Sequence, residues 1–152
     1  MKKLFIDANA FLCYLFRNKG WHEIQKILCN EQNTLYTSYG ILNEVKFKLL
    51  YTAASGVSNK KYEIIKIIKK NVKLRKIVLK KYLKFFLEIS QIITIMPLNT
   101  TVEKLSIGFS INHALLPTDA SIVSLMKHHE INYLVTQDKD FKGIPGIQII
   151  PV

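Results

Sequence analysis

Four carboxylates stand where the surrounding chain is apolar or about to turn: Asp7 in KLFIDANAF, Glu44 in TSYGILNEV, Asp119 in LLPTDASIVSLMKHH and Asp138 in YLVTQDKDF. A carboxylate at the end of a hydrophobic strand is unfavourable unless it meets water, a helix terminus or a cation. Several of them within a few ångströms raise one another's pKa values until a cation neutralises them. A hard divalent ion does so, and oxygen-only ligation without Cys or His favours Mg²⁺ or Mn²⁺ over Zn²⁺. Such an ion lowers the pKa of a bound water, polarises a phosphoryl oxygen and steadies a leaving alkoxide, the three needs of phosphodiester hydrolysis. Each acid also has a plainer role: Asp119 as a first-turn helix acid, Asp138 as a turn former, Glu44 as a solvated helix residue.

The elements that must position these acids can be read from periodicity. Lys3 to Ile6 reads as a buried strand followed directly by a helix over Ala8 to Phe16, and after Gly20 a second helix covers Trp21 to Cys29. TLYTS is a short strand ending at Ser38, which can cap a helix from Tyr39 to Tyr51 with Ile41, Leu42, Val45 and Leu49 on one side. TAASGVSN, small and polar, reads as a loop. Lys61 to Ser90 reads as helix broken near Asn71, IITIMPL as a strand, and Thr100 to Asn112 as a helix capped by Thr100 or Thr101. A helix opening near Thr118, a strand in NYLVTQD and a last short one in IQII complete the chain. Strands alternating with helices predict an α/β fold with a mainly parallel sheet. In such sheets, sites form beyond the carboxyl ends of the strands. Asp7 and Asp138 end predicted strands, Asp119 starts a helix and Glu44 lies one to two turns into another, so all four are expected at that one edge.

At 152 residues the chain has the length of one domain, and nothing in it marks a second, so residues 1–152 are read as a single unit. About half the residues are apolar, which excludes disorder. No apolar run approaches the roughly 20 residues that span a bilayer, and the start of the chain has no signal-peptide pattern. A cytoplasmic protein with no membrane partner is the expectation. Cys13 and Cys29 form no CxxC and are read as buried free thiols, and His22, His113, His128 and His129 form no HExxH. The net charge of +11 is localised: Asn59 to Lys84 holds eleven basic residues and one acid, Glu63. In the second half of this segment Leu74, Val78, Tyr82, Phe85 and Ile89 keep helical spacing while Lys73, Lys76, Lys80 and Lys84 share the opposite face. A cationic ridge of this kind attracts polyanions through phosphate contacts that position without reading sequence.

The four quoted stretches, in this order and spanning nearly the whole chain, resemble the PIN-domain nucleases, and within them the VapC-type ribonuclease toxins and their prokaryotic relatives. The resemblance implies a three-layer α/β/α fold and a Mg²⁺- or Mn²⁺-dependent endoribonuclease, the toxin of a toxin-antitoxin pair or an RNA-processing relative. It implies Asp7, Glu44, Asp119 and Asp138 as the catalytic and metal-binding acids, Asn9 and Thr136 as residues that orient them by hydrogen bonds, and Asp140 as an auxiliary acid. RNA as substrate, an antitoxin protein and a second copy of the chain are the implied partners. The Lys-rich segment departs from the pattern, since compact members have a shorter helical pair there. Residues 57–90 are therefore read as a basic helical elaboration.

Rival readings are weaker. A haloacid-dehalogenase-like phosphatase needs a second Asp where Asn9 stands, and a response-regulator receiver needs an Asp where IMPLN has none. A non-catalytic RNA-binding or antitoxin-binding module on the same fold is the alternative from another class.

Overall fold

The computed structural model describes residues 1–152. Five strands, β1 (Lys2–Ile6), β2 (Asn33–Ser38), β3 (Ile93–Met96), β4 (Tyr133–Val135) and β5 (Gln148–Ile150), form one sheet in the order β3-β2-β1-β4-β5. Every neighbouring pair is parallel. Leu4, Phe5 and Ile6 of the central strand are all buried, the unbroken apolar run expected where helices cover both faces of a sheet. The edge strand β5 is only partly buried.

Seven helices connect the strands: α1 (Ala8–Phe16), α2 (Trp21–Leu28), α3 (Tyr39–Ser55), α4 (Lys61–Lys70), α5 (Val72–Ile89), α6 (Thr100–His113) and α7 (Pro117–His128). They pack in two groups, with α3 touching α1, α4 and α5 in one and α6 against α7 in the other. The core is a single cluster of 30 buried residues that includes Phe5, Phe11, Ile41, Leu42, Val45, Leu125 and Phe141. Phe11 of α1 meets Phe85 of α5 edge to face, with centroids 5.4 Å apart. The Lys-rich helix is thus pinned to the core by Phe85 and Ile89, both buried. Truncating a fully buried phenylalanine such as Phe11 to alanine costs about 3–5 kcal/mol.

The expected α/β architecture, mainly parallel sheet and break at Asn71 are present, and the structure corrects the reading in three places. The stretch read as a loop from Thr52 continues α3 to Ser55, because Ala53 and Ala54 are good helix formers and Ala54 is buried; Gly56 follows as the cap. The cap of α6 is Asn99, not a threonine: its side chain accepts the Val102 N–H at 2.9 Å from extended backbone. Of the two cysteines Cys13 is buried, whereas Cys29 is exposed at the end of α2.

Candidate active site

Strand order reverses around β1, since the chain runs outward through β2 and β3 and returns to β4 on the other side. A crevice forms beyond the carboxyl ends of parallel strands at such a switch point. Asp7 is the first residue past β1, and its N–H donates to the Val135 carbonyl of β4 at 3.1 Å, so its backbone is still held by the sheet. Its side chain does two jobs. Oδ1 accepts the Ala8 N–H at 2.6 Å and caps α1, while Oδ2 accepts the hydroxyl of Thr136 at 2.7 Å. Asp7 is thereby tolerated at 5 % exposure, because helix N–H groups and a hydroxyl replace water around a carboxylate.

Thr136 follows β4 directly and is fully buried. Its oxygen accepts the Asp138 N–H at 3.0 Å, and Asp138 Oδ1 accepts the Asp140 N–H at 2.9 Å. This relay of short-range bonds turns the chain after β4 so that both aspartates face the crevice. Asp119 comes from the first turn of α7, behind Pro117 at the helix start, where an acid suits the helix dipole. Glu44 projects from α3, whose start is set by Ser38: its Oγ accepts the Ile41 N–H at 3.3 Å.

These side chains line one crevice of about 620 Å³: Asp7, Asn9, Glu44, Lys48, Glu103, Asp119, Asp138 and Asp140 all face it. Burial pushes the Asp119 carboxyl up to about 6, and the negative charges of Asp138, Asp7, Asp140 and Glu44 add to the rise. The Asp7 carboxyl is also raised, first by burial and less by Glu44, against the lowering effect of the Thr136 and Ala8 hydrogen bonds. Asp119 thus feels four of the other five acids, all but Glu103, although these come from three other segments of the chain.

The sequence-predicted residues separate into three sets. Asp7, Glu44, Asp119, Asp138, Asp140 and Asn9 face the crevice. Thr136 lies beneath it and donates to Asp7 Oδ2. Asn9 Oδ1 accepts from Lys48 Nζ at 3.4 Å. Lys73, Lys76, Lys80 and Lys84 are exposed on α5 outside the crevice, with Lys84 3.9 Å from Glu88. Two charged lining residues stand outside the sequence-predicted set, Glu103 in the first turn of α6 and Lys48. Lys48 carried a readable signal, since it stands one helical turn beyond Glu44 and must share its face.

The donor set is oxygen-only, which suits a hard divalent ion. No three His, Cys, Asp or Glu side chains are placed closely enough to hold one metal ion between them. An ion of the Mg²⁺ kind keeps several waters and takes only one or two carboxylates directly, so it does not need three converging side chains.

The PIN-domain family model matches residues 4–147. The chain belongs to the PIN-domain family. Among curated PIN-domain relatives it is similar to "Ribonuclease VapC2" of Methanocaldococcus jannaschii, 28% identical over 151 residues that cover 99% of this chain and 94% of the relative. Among solved structures it resembles the DNA-bound VapBC of Salmonella typhimurium, with a TM-score of 0.63 at 19% identity over 99% of this chain and 98% of the other. It also resembles Mycobacterium tuberculosis VapC20, described as a Sarcin-Ricin loop cleaving toxin, with a TM-score of 0.62 at 12% identity over 95% and 98% of the two chains. At these identities the structural likenesses establish the shared fold. The crevice at the carboxyl edge of the sheet is thus the candidate active site of a PIN domain.

Proposed function

We propose that this chain is an endoribonuclease that hydrolyses RNA phosphodiester bonds with a divalent metal ion, Mg²⁺ or Mn²⁺, acting as the toxin of a toxin-antitoxin pair in the cytoplasm. The observation that carries this reading is the acid group itself: Asp7, Glu44, Asp119 and Asp138 face one crevice, and the Asp119 carboxyl is raised to about 6 by burial and by the other acids. A group so charged, at the ligand-binding edge of an α/β sheet, is suited to a hard cation. The names of the similar proteins, a ribonuclease and a toxin that cleaves the Sarcin-Ricin loop, support RNA as the substrate. The VapBC likeness supports an antitoxin as partner, and a homodimer is part of the same reading. Residues 1–152 are read as one catalytic domain, with residues 57–90 as its basic elaboration.

Asp7, Glu44, Asp119 and Asp138 would hold the ion, directly or through water. When bound, it supplies a water of lowered pKa and polarises the phosphoryl oxygen. Thr136 orients Asp7 and favours its ionised form by donating to Oδ2, against the burial that raises this carboxyl, while the capping bond from Ala8 fixes the other oxygen. Asp119, with its carboxyl near 6, is ionised at neutral pH and can accept a proton from an attacking water. Asp140 is an auxiliary acid tied to Asp138 through its backbone. Lys73, Lys76, Lys80 and Lys84 would hold the flanking RNA backbone.

The test is cleavage of structured and unstructured RNA by purified protein with Mg²⁺, Mn²⁺ or chelator, beside Asp7→Asn. Cleavage that requires the ion and is lost in the variant is expected. Cleavage that survives in chelator or in Asp7→Asn would point to a contaminant, and salt-sensitive RNA binding without any cleavage would favour a non-catalytic module.

A further inference from the structure

Lys48 is the one basic residue lining the acidic crevice, opposite six acids: Asp7, Glu44, Glu103, Asp119, Asp138 and Asp140. Its Nζ lies 2.8 Å from Glu44 Oε1, one helical turn back on α3. It also donates to Asn9 Oδ1, on α1, at 3.4 Å. The second bond sets it apart from an ordinary surface pair. A solvated i,i+4 pair lies along its own helix and contributes about 0.3–0.5 kcal/mol, whereas Lys48 is drawn across to a second element and over the crevice. An ammonium has three donors, two of which these bonds use. The side chain is 43% exposed, so the third donor is open to a molecule entering from solvent.

The charge balance says what that molecule should be. A phosphodiester brings a further negative charge to a crevice already lined by six carboxylates, and a divalent ion offsets only part of the total. A tethered ammonium at the rim supplies the missing attraction, and lysine serves widely as a point-charge partner for phosphate.

We propose that Lys48, held at the rim by Glu44 and Asn9, is a substrate-contacting residue that donates to a non-bridging oxygen of the phosphodiester entering the crevice. This rests on the ribonuclease reading above. It also gives Asn9 a part in the site, since its carboxamide oxygen aims the ammonium.

The test compares wild type, Lys48→Met and Lys48→Arg. Steady-state RNA cleavage is measured across a salt series, Mn²⁺ binding to the RNA-free protein by electron paramagnetic resonance, and stability by thermal melting. In Lys48→Met, kcat/KM should fall about tenfold to a hundredfold, as for loss of a charged hydrogen bond. The salt dependence of RNA affinity should flatten by about 0.7 in log–log slope, the value for one contact on a single strand. Mn²⁺ affinity should hold or tighten, and Lys48→Arg should recover most of the activity. A Lys48→Met enzyme within twofold of wild type overturns the proposal. So does a loss that goes with weakened Mn²⁺ binding and an unchanged salt slope, because Lys48 would then act only by placing Glu44. If wild type cuts no RNA with any divalent ion, the ribonuclease reading fails and this one with it; if wild type cuts and Lys48→Met cuts equally, only this one fails.

Discussion

The acidic crevice and the lysine-bearing helix α5 concentrate charge in opposite ways. In α5 the clustering is local: Lys73, Lys76, Lys80 and Lys84 share a face because one helix repeats every 3.6 residues, and all four are exposed. In the crevice the clustering is tertiary, since Asp7, Glu44, Asp119 and Asp138 are brought together by the order of strands and the starts of helices. The electrostatic consequences differ accordingly. The lysines stay in high dielectric, screened over about 10 Å at 0.1 M salt. The crevice acids are partly withdrawn from water, and burial leads the causes that raise Asp7 and Asp119. A charged surface made by periodicity attracts from a distance, whereas one made by topology perturbs its own protonation and can do chemistry.

This contrast is sharpest in the largest expected effect. Asp119→Asn should lower RNA cleavage a hundredfold or more, in the range for loss of a group that handles a proton, while leaving RNA affinity in chelator at least as high as wild type. Equal loss of affinity and turnover would erase the distinction between the two regions. Reversing Lys76, Lys80 and Lys84 to Glu should do the converse. RNA affinity should drop about tenfold to a hundredfold at low salt and its salt dependence should flatten, with kcat at saturating RNA little changed. If affinity is intact while dimerisation or partner binding fails, the ridge is a protein-binding surface.

A smaller effect tests the hydrogen bond beneath Asp7. Thr136→Val keeps shape but removes the donor to Asp7 Oδ2 and the acceptor for the Asp138 N–H. The Asp7 carboxyl should rise further, moving the acidic limb of the kcat/KM profile to higher pH, and Thr136→Ser should restore it. A profile that does not move would show that the hydroxyl serves packing alone.

The smallest effect is on stability. The Asp119 carboxyl sits at about 6 in the folded chain against an ordinary 3.8. Between those pH values the folded chain holds a proton that the unfolded chain has released, so this group's contribution falls as pH rises from about 4 to about 6 and stays unfavourable above. Asp119→Asn should therefore melt higher than wild type in metal-free buffer at pH 7.5, by about 2–4 °C, with the gap closing toward pH 4. Partial exposure of Asp119 keeps the effect modest. Differential scanning calorimetry of both proteins at each pH cancels the self-repulsion of the basic chain, which acts on both. Mn²⁺ should narrow the gap at pH 7.5 by stabilising wild type more than the variant.

Much of the scaffold was legible because its causes are local. The apolar run before Asp7, the 3.6-residue spacing in α3 and α5 and the Ser38 cap each act within a few residues, and the sequence reading found them. It failed where short-range cues competed. Thr100 and Asn99 are both good caps, and only the backbone angles select Asn99. Ala53 and Ala54 sit among turn-forming residues, yet burial of Ala54 carries the helix on to Ser55.

The sequence by itself determined which side chains could carry charge and at which element end each would stand, because helix and strand periods are properties of neighbouring residues. It also determined that the lysines of α5 would form a ridge. Only the tertiary structure decided that Glu103 joins the acids, that Asn9 accepts from the Lys48 ammonium, and how far Asp119 is displaced from its ordinary pKa. Those outcomes depend on contacts between segments distant in the chain, 39 residues apart for Asn9 and Lys48 and 129 for Asp7 and Thr136, and on the water excluded when the segments pack.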